Sequence, residues 1–168
     1  MPTHDAGPDI GQSAPRAASE PPLRVAITLE QCWHEVPGGT ASSILETLTA
    51  LQKRPDVEVL GVSARHPDLP PAPWTPTVPV RQLALPRNAL YESWHYLRSP
   101  RVQRATGPVD VIHATTMAIP PKSAPLVVTV HDLALLKEPA HFTRHGMRFF
   151  RRGLALAKAK ADVVGGPS

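Results

Sequence analysis

RVAITLEQCWHEVPGGTASSILETLTALQKRPDVEVLGV, Arg24 to Val62, reads as one complete strand–helix–strand unit. Its opening, RVAITL (Arg24–Leu29), is almost entirely apolar or β-branched, as expected of a strand covered on both faces. Thr40 to Arg54 follows as a helix, because Ile44, Leu48 and Leu51 recur at helical spacing and Pro55 lies just beyond. VEVLGV, Val57–Val62, is a second buried strand. Gly38 and Gly39 stand between the first strand and the helix, where a turn must redirect the chain.

Working outward, the alternation continues. Ser63 to Thr77 is a proline-dense loop that cannot form an interior helix. Since it joins two strands, its proline run serves as a connector. A third strand is expected over Val78–Leu85, and a helix over Asn88–Arg98 with a further turn after Pro100. VDVIHA (Val109–Ala114) and Leu126–Val130 are the fourth and fifth strands, Thr143–Ala161 is a long helix, and Asp162–Val164 begins a sixth strand. Strands alternating with helices imply right-handed crossovers and an α/β fold: a Rossmann-like parallel sheet flanked by helices. Residues 1–22 are rich in Pro, Ala, Ser, Gly and Asp without periodicity and are expected to be a disordered leader to a domain over 23–168.

The 168 residues are of single-domain size, and 42% hydrophobic with 19% charged residues fits a globular chain with its own core. The single cysteine, Cys32, excludes an internal disulfide framework. The sequence contains no apolar run of roughly 18 residues and no secretory signal pattern, so a cytoplasmic location is expected. The net charge of +4 is unevenly placed: between Pro139 and Ala161 there are six Lys or Arg and no acidic residue.

Three strand ends carry candidate chemistry. In EQCWHEVPGGT, Glu30–Thr40, the glycines let backbone N–H groups approach a ligand, Thr40 can cap the helix, and the helix dipole favours an anion. Each such bond to an anion is worth roughly 1.5–3 kcal/mol. A tight turn that binds nothing explains the same residues. Neither GxGxxG nor GK[ST] is present, which excludes a dinucleotide fingerprint and a P-loop. In VVTVHD, Val127–Asp132, His131 leaves a buried strand into a loop, and Asp132 can orient its ring or cap the next turn. A histidine satisfied at a strand end is the plain alternative. His113 ends VDVIHA, and faces the same cleft as His131 if the two strands are neighbours.

Cys32 and His34 are two apart with no second pair at zinc spacing, so no metal is expected. No GxSxG elbow occurs. On the long helix, Met147, Phe150, Leu154, Ala157 and Ala161 share one face; Arg144, Arg148, Arg151, Arg152 and Lys158 share the next. That basic face is either simply solvated or touches an anionic membrane or acidic partner. No aromatic platform is interleaved with it, which argues against nucleic acid.

Taken in order, PGGT after strand one, DVIHAT after strand four, VVTVHD after strand five and the closing ADVV resemble the N-terminal domain of a family 4 glycosyltransferase of the two-domain GT-B fold. The resemblance runs from about Arg24 to Ser168. It implies retaining transfer of a sugar from a nucleotide-sugar donor to an acceptor it does not identify, without metal or other cofactor. It implies that Gly38, Gly39 and Thr40 face the donor diphosphate and that His131, supported by Asp132, contacts the donor sugar. His34 and His113 would lie toward the acceptor. Retaining enzymes of this fold have no agreed protein nucleophile, and none is assigned.

The resemblance also implies a second Rossmann-like domain with most nucleotide contacts and an acidic E-x7-E signature. No residues here match it, so this chain is expected to be half of a GT-B architecture and inactive alone. The basic helix could place such an enzyme peripherally at the inner face of a membrane. Two other classes stay open: a stand-alone α/β module for a phosphorylated ligand, and a non-catalytic partner domain.

Overall fold

The structure is a computed structural model that describes residues 20–131 and 143–166. Among these residues six strands form one sheet with every pairing parallel, in the order β3-β2-β1-β4-β5-β6. β1 (Leu23–Thr28) lies inside it, between β2 (Val57–Ser63) and β4 (Val111–Ala114). β3 (Val80–Gln82) is one edge; β5 (Leu126–Thr129) and β6 (Val163–Gly165) complete the other side. The chain leaves β3 and returns beside β1 as β4, so strand order reverses between β1 and β4. A crevice outside the carboxyl ends follows from that reversal.

Period-two alternation sends neighbouring residues of each strand into different cores. Val25, Ile27 and Val59 meet Ile44 and Leu48 of α1 (Gly38–Gln52) on one face. Ala26, Ile112, Leu126 and Val128 build the other face. It is covered by Leu90 of α2 (Arg87–Glu92), Trp94 of the π turn Ser93–Leu97, and Phe150 and Leu156 of a long helix, Arg144–Lys160. A short helix, α3 (Gln103–Thr106), precedes β4, and Arg144–Lys160 is α4. Fully burying a side chain such as Leu48 or Ile112 is worth about 1.5–3 kcal/mol each.

The elements expected from sequence are present, with four instructive differences. The third strand is three residues rather than Val78–Leu85, because it is an edge strand interrupted by proline; Leu83 and Arg65 still donate to the Ser63 and Leu85 carbonyls beyond it. The helix expected over Asn88–Arg98 widens into the π turn after Glu92 and ends at left-handed Arg98, whose guanidinium binds the carbonyls of Trp94, Ile119 and Pro120. α1 begins at Gly38 (φ +62°), so Thr40 sits inside its first turn and is not its cap. On α4 the deepest residues are Phe150, Gly153, Leu156 and Ala157, while Met147, Leu154 and Ala161 are half-buried. The buried face turns because Gly153 allows a close approach to the loop after β4. β6 is exposed, with Val163 55% and Val164 54% accessible.

At Gly153 a Cβ would stand 2.3 Å from the Met117 carbonyl oxygen and 2.9 Å from Met117 Cβ. Backbone cannot yield there as a flexible side-chain tip would. Gly153→Ala is therefore expected to destabilise by about 1–3 kcal/mol, read as a lowered denaturant midpoint. An unchanged midpoint would show that α4 slides freely over this loop.

Candidate active site

The crevice at the β1–β4 reversal is a cleft of about 250 Å³ lined by Gln31, Thr40, Met117, Thr129 and His131 among others. Each wall has a local cause. After β1 the chain makes a 3-10 turn, Glu30–Trp33, and the Gln31 amide donates to the Pro37 carbonyl at 3.0 Å, which fixes the approach to α1. Gly38 takes the positive φ that redirects the chain, a conformation costly for other residues. No side chain caps α1, and nothing lies within 4 Å of where a Cβ would stand on Gly38 or Gly39. Among the described residues, the positive end of this 15-residue helix is left without a side-chain cap.

Across the cleft, His131 follows β5. Its ring interacts with the Thr115 backbone, and among the described residues its Nε2 is buried without a partner. Burial lowers its pKa, so the ring is neutral at pH 7. With one nitrogen held by the backbone, the other is oriented for a ligand. Thr40 and His131 thus share one cleft, as the resemblance implies. Asp132 lies outside the described residues.

His113 is placed differently. β4 and β5 are neighbours, but His113 lies within β4, and its Nε2 meets Thr129 Oγ1 at 2.8 Å. It stands behind the Thr129 that lines the cleft. Burial, and then the nearby His131, lower its pKa. His34 lines a second cavity of about 500 Å³, with Arg87, Tyr91, Glu92, His145 and Phe149. Its Nε2 is buried and unpartnered, and burial followed by the charge of Arg87 lowers its pKa. The two cavities are linked: Tyr91 of the second interacts with Thr116, a residue of the cleft. Burial keeps the Tyr91 phenol protonated, with Glu30 adding to the effect.

Sequence reasoning passed over Gln31, Thr116, Met117, Thr129 and Arg87. Gln31 and Thr129 lie inside EQCWHEVPGGT and VVTVHD, and Thr116 immediately follows DVIHAT, so those motifs were their available signals; Met117 and Arg87 meet the site only through the fold. Cys32 is buried, its thiol pushed up to about 11 by burial and Glu30, which leaves it unsuited to nucleophilic work. Among the described residues no three His, Cys, Asp or Glu side chains gather as a metal site requires, and no helix is long and apolar enough to cross a membrane. On α4, Arg144, Arg148, Arg151 and Lys158 are exposed. Arg152 is half-buried, and both its Nε and Nη2 donate to the His95 carbonyl, at 3.1 and 3.0 Å.

Four histidines, His34, His95, His113 and His131, have pKa values lowered, first by burial in each case. Above the ordinary value near 6.5 both folded and unfolded chains are neutral at these sites. As pH falls through that value the unfolded chain takes up protons that the folded chain refuses, so stability falls with pH. Tm is expected to drop steadily from about pH 7 towards pH 5, and His113→Gln to make the drop shallower. An acid limb unchanged in His113→Gln would mean that His113 titrates alike in both states.

No curated protein matches the chain. The family described as Glycosyltransferase Family 4 matches residues 37–168, a span that holds α1, the cleft's Thr40, Thr129 and His131, and α4. This chain belongs to Glycosyltransferase Family 4.

Proposed function

We propose that this domain serves a retaining glycosyltransferase that takes a sugar from a nucleotide-sugar donor. The observation that carries the reading is the pairing across one small cleft of an uncapped, glycine-opened helix N-terminus with an oriented, neutral histidine. Anionic diphosphate suits the first; the hydroxyls of a donor sugar suit the second. The N–H groups of Gly38, Gly39 and Thr40 receive the diphosphate, which stabilises the charge that grows on it as the sugar leaves. His131 Nε2 hydrogen-bonds the sugar near the reacting carbon, and His113, through Thr129, backs that wall. No protein nucleophile and no metal is assigned. The nucleotide is held mainly by a second Rossmann-like domain, so these residues form one wall of the complete cleft. The acceptor enters from the side of the larger cavity, past His34.

Two variants test this. In the complete two-domain enzyme, His131→Ala should lower turnover in a sugar-transfer assay at least tenfold, equivalent to about 1.4 kcal/mol of barrier, with little change in Tm. Activity retained with stability lost would make His131 a structural residue. Gly39→Val is the cleaner probe of the turn, since a side chain there meets no protein atom within 4 Å. It should raise the donor KM in a folded protein. An unchanged KM would reduce the turn to a connector.

We also propose that the domain meets anionic membrane from the cytoplasmic side. Exposed Leu97 (76%) and Tyr96 (49%) support this, because the guanidiniums of Arg148 and Arg152 lie 5.8 and 5.6 Å from the Tyr96 ring. Apolar and aromatic groups thus accompany the exposed cations of α4. Each basic residue near such a surface contributes about 1 kcal/mol, weakened by salt. Co-sedimentation with anionic but not neutral vesicles, lost in Arg144→Ala/Arg148→Ala/Arg151→Ala, is the expected result. Failure to bind either vesicle at low salt would remove the membrane role.

A further inference from the structure

Among the described residues, the larger cavity holds a cation with no counter-ion. Arg87, in the first turn of α2, is half-buried, and its guanidinium has no hydrogen bond or ion pair among the described residues. Among the described residues the lining has one carboxylate, Glu92, and it is directed to α4: Oε1 lies 3.7 Å from His145 Nε2 and Oε2 4.0 Å from Arg148. The planar fork of a guanidinium matches phosphate or carboxylate. The N-terminus of α4, a 17-residue helix, adds the same sign of potential where His145 and Gly146 border the cavity.

The rest of the cavity is not a bare anion site. His34 Nε2 is buried without a partner, and the ring is held neutral, so it suits a hydroxyl. The stacked rings of Tyr91 and Phe149, 5.5 Å apart, form an aromatic wall, which suits the apolar face of a sugar or polyol. A volume of about 500 Å³ lies within the range of small-molecule sites. Tyr91 of this cavity interacts with Thr116 of the cleft that holds His131.

We propose that this cavity binds a small hydroxylated acceptor that carries a phosphate or carboxylate, with Arg87 gripping the anion and His34 hydrogen-bonding a hydroxyl. The assignment rests on the transfer reading above and adds the chemical class of the acceptor. The anion in the cavity would hold the molecule so that a hydroxyl reaches past Thr116 toward the donor sugar.

Calorimetric titration of the chain with glucose 6-phosphate, glucuronate, glucose and inorganic phosphate tests it. The charged sugars are expected to bind at least about tenfold more tightly than glucose, a difference of about 1.4 kcal/mol. Arg87→Gln should abolish that preference, and Arg87→Lys should keep part of it, with circular dichroism confirming that both variants fold. The tighter of the two charged sugars identifies which anion the site takes. Equal binding of glucose and the charged sugars, a preference that survives Arg87→Gln, or no binding of any sugar overturns the proposal. Inorganic phosphate binding as tightly as glucose 6-phosphate overturns the hydroxyl half of it. Sugar transfer by the complete two-domain enzyme, compared between wild type and His131→Ala, reports on the donor reading separately, so either reading can fail while the other stands.

Discussion

Two threonines tie the sheet together where its strand order reverses. The Thr115 hydroxyl donates to the Thr28 carbonyl at 2.6 Å, and the Thr28 hydroxyl lies 3.1 Å from Thr115 Oγ1 and accepts from the Thr115 amide at 3.0 Å. Both residues are buried, so these bonds form where water cannot compete and where a lost partner would be costly. They lock the end of β1 to the end of β4. The same Thr115 offers its carbonyl to the His131 ring from the third neighbouring strand. One residue thus sets the relative positions of β1, β4 and β5 at the edge where the cleft opens.

The loop that follows Thr115 is held from behind by elements far away in sequence. His95, fully buried in the π turn, meets the Met117 carbonyl through Nε2 at 2.8 Å and stacks on Phe149 at 4.3 Å. Arg152 of α4 grips the His95 carbonyl, and Arg98 holds the carbonyls of Ile119 and Pro120. Gly153 brings α4 onto the same Met117 carbonyl. The helix that looked like a sheet-packing element with a basic exterior therefore also braces a wall of the cleft. This explains why one of its five singled-out cations, Arg152, is withdrawn from the surface.

The electrostatics of the two cavities follow from this bracing. Neutral His131 and His113 keep positive charge out of the smaller cleft, so the helix N-terminus is its main anion-attracting feature. In the larger cavity Arg87 supplies a full charge and holds His34 neutral together with burial. Buried Glu30 acts elsewhere: it accepts from the Ala64 amide at 2.8 Å and meets His66 Nε2 at 2.7 Å, joining the ends of β1 and β2. Two adjoining chambers with different charge character suit two different ligands meeting at a shared wall.

Local pattern alone carried the parallel α/β reading. Strand composition, helical spacing and the glycines between them are properties of short windows, and hydrophobic burial enforces them wherever the windows land. PGGT, DVIHAT and VVTVHD likewise marked Thr40 and His131, because strand ends in a parallel sheet open onto one edge. What a window cannot express is which strands become neighbours and how closely helices approach. The β1–β4 adjacency brought Thr28 to Thr115, the packing at Gly153 turned Arg152 inward, and α2 carried Arg87 to His34 across 52 intervening positions of chain. His113 shows the limit most clearly: one residue short of its strand's end, it stands on the sheet behind Thr129 instead of in the cleft. The sequence by itself determined the elements and the edge that carries the chemistry; only the tertiary structure decided which polar groups are satisfied there and which are left for a ligand, because hydrogen-bond partners are chosen by proximity in space.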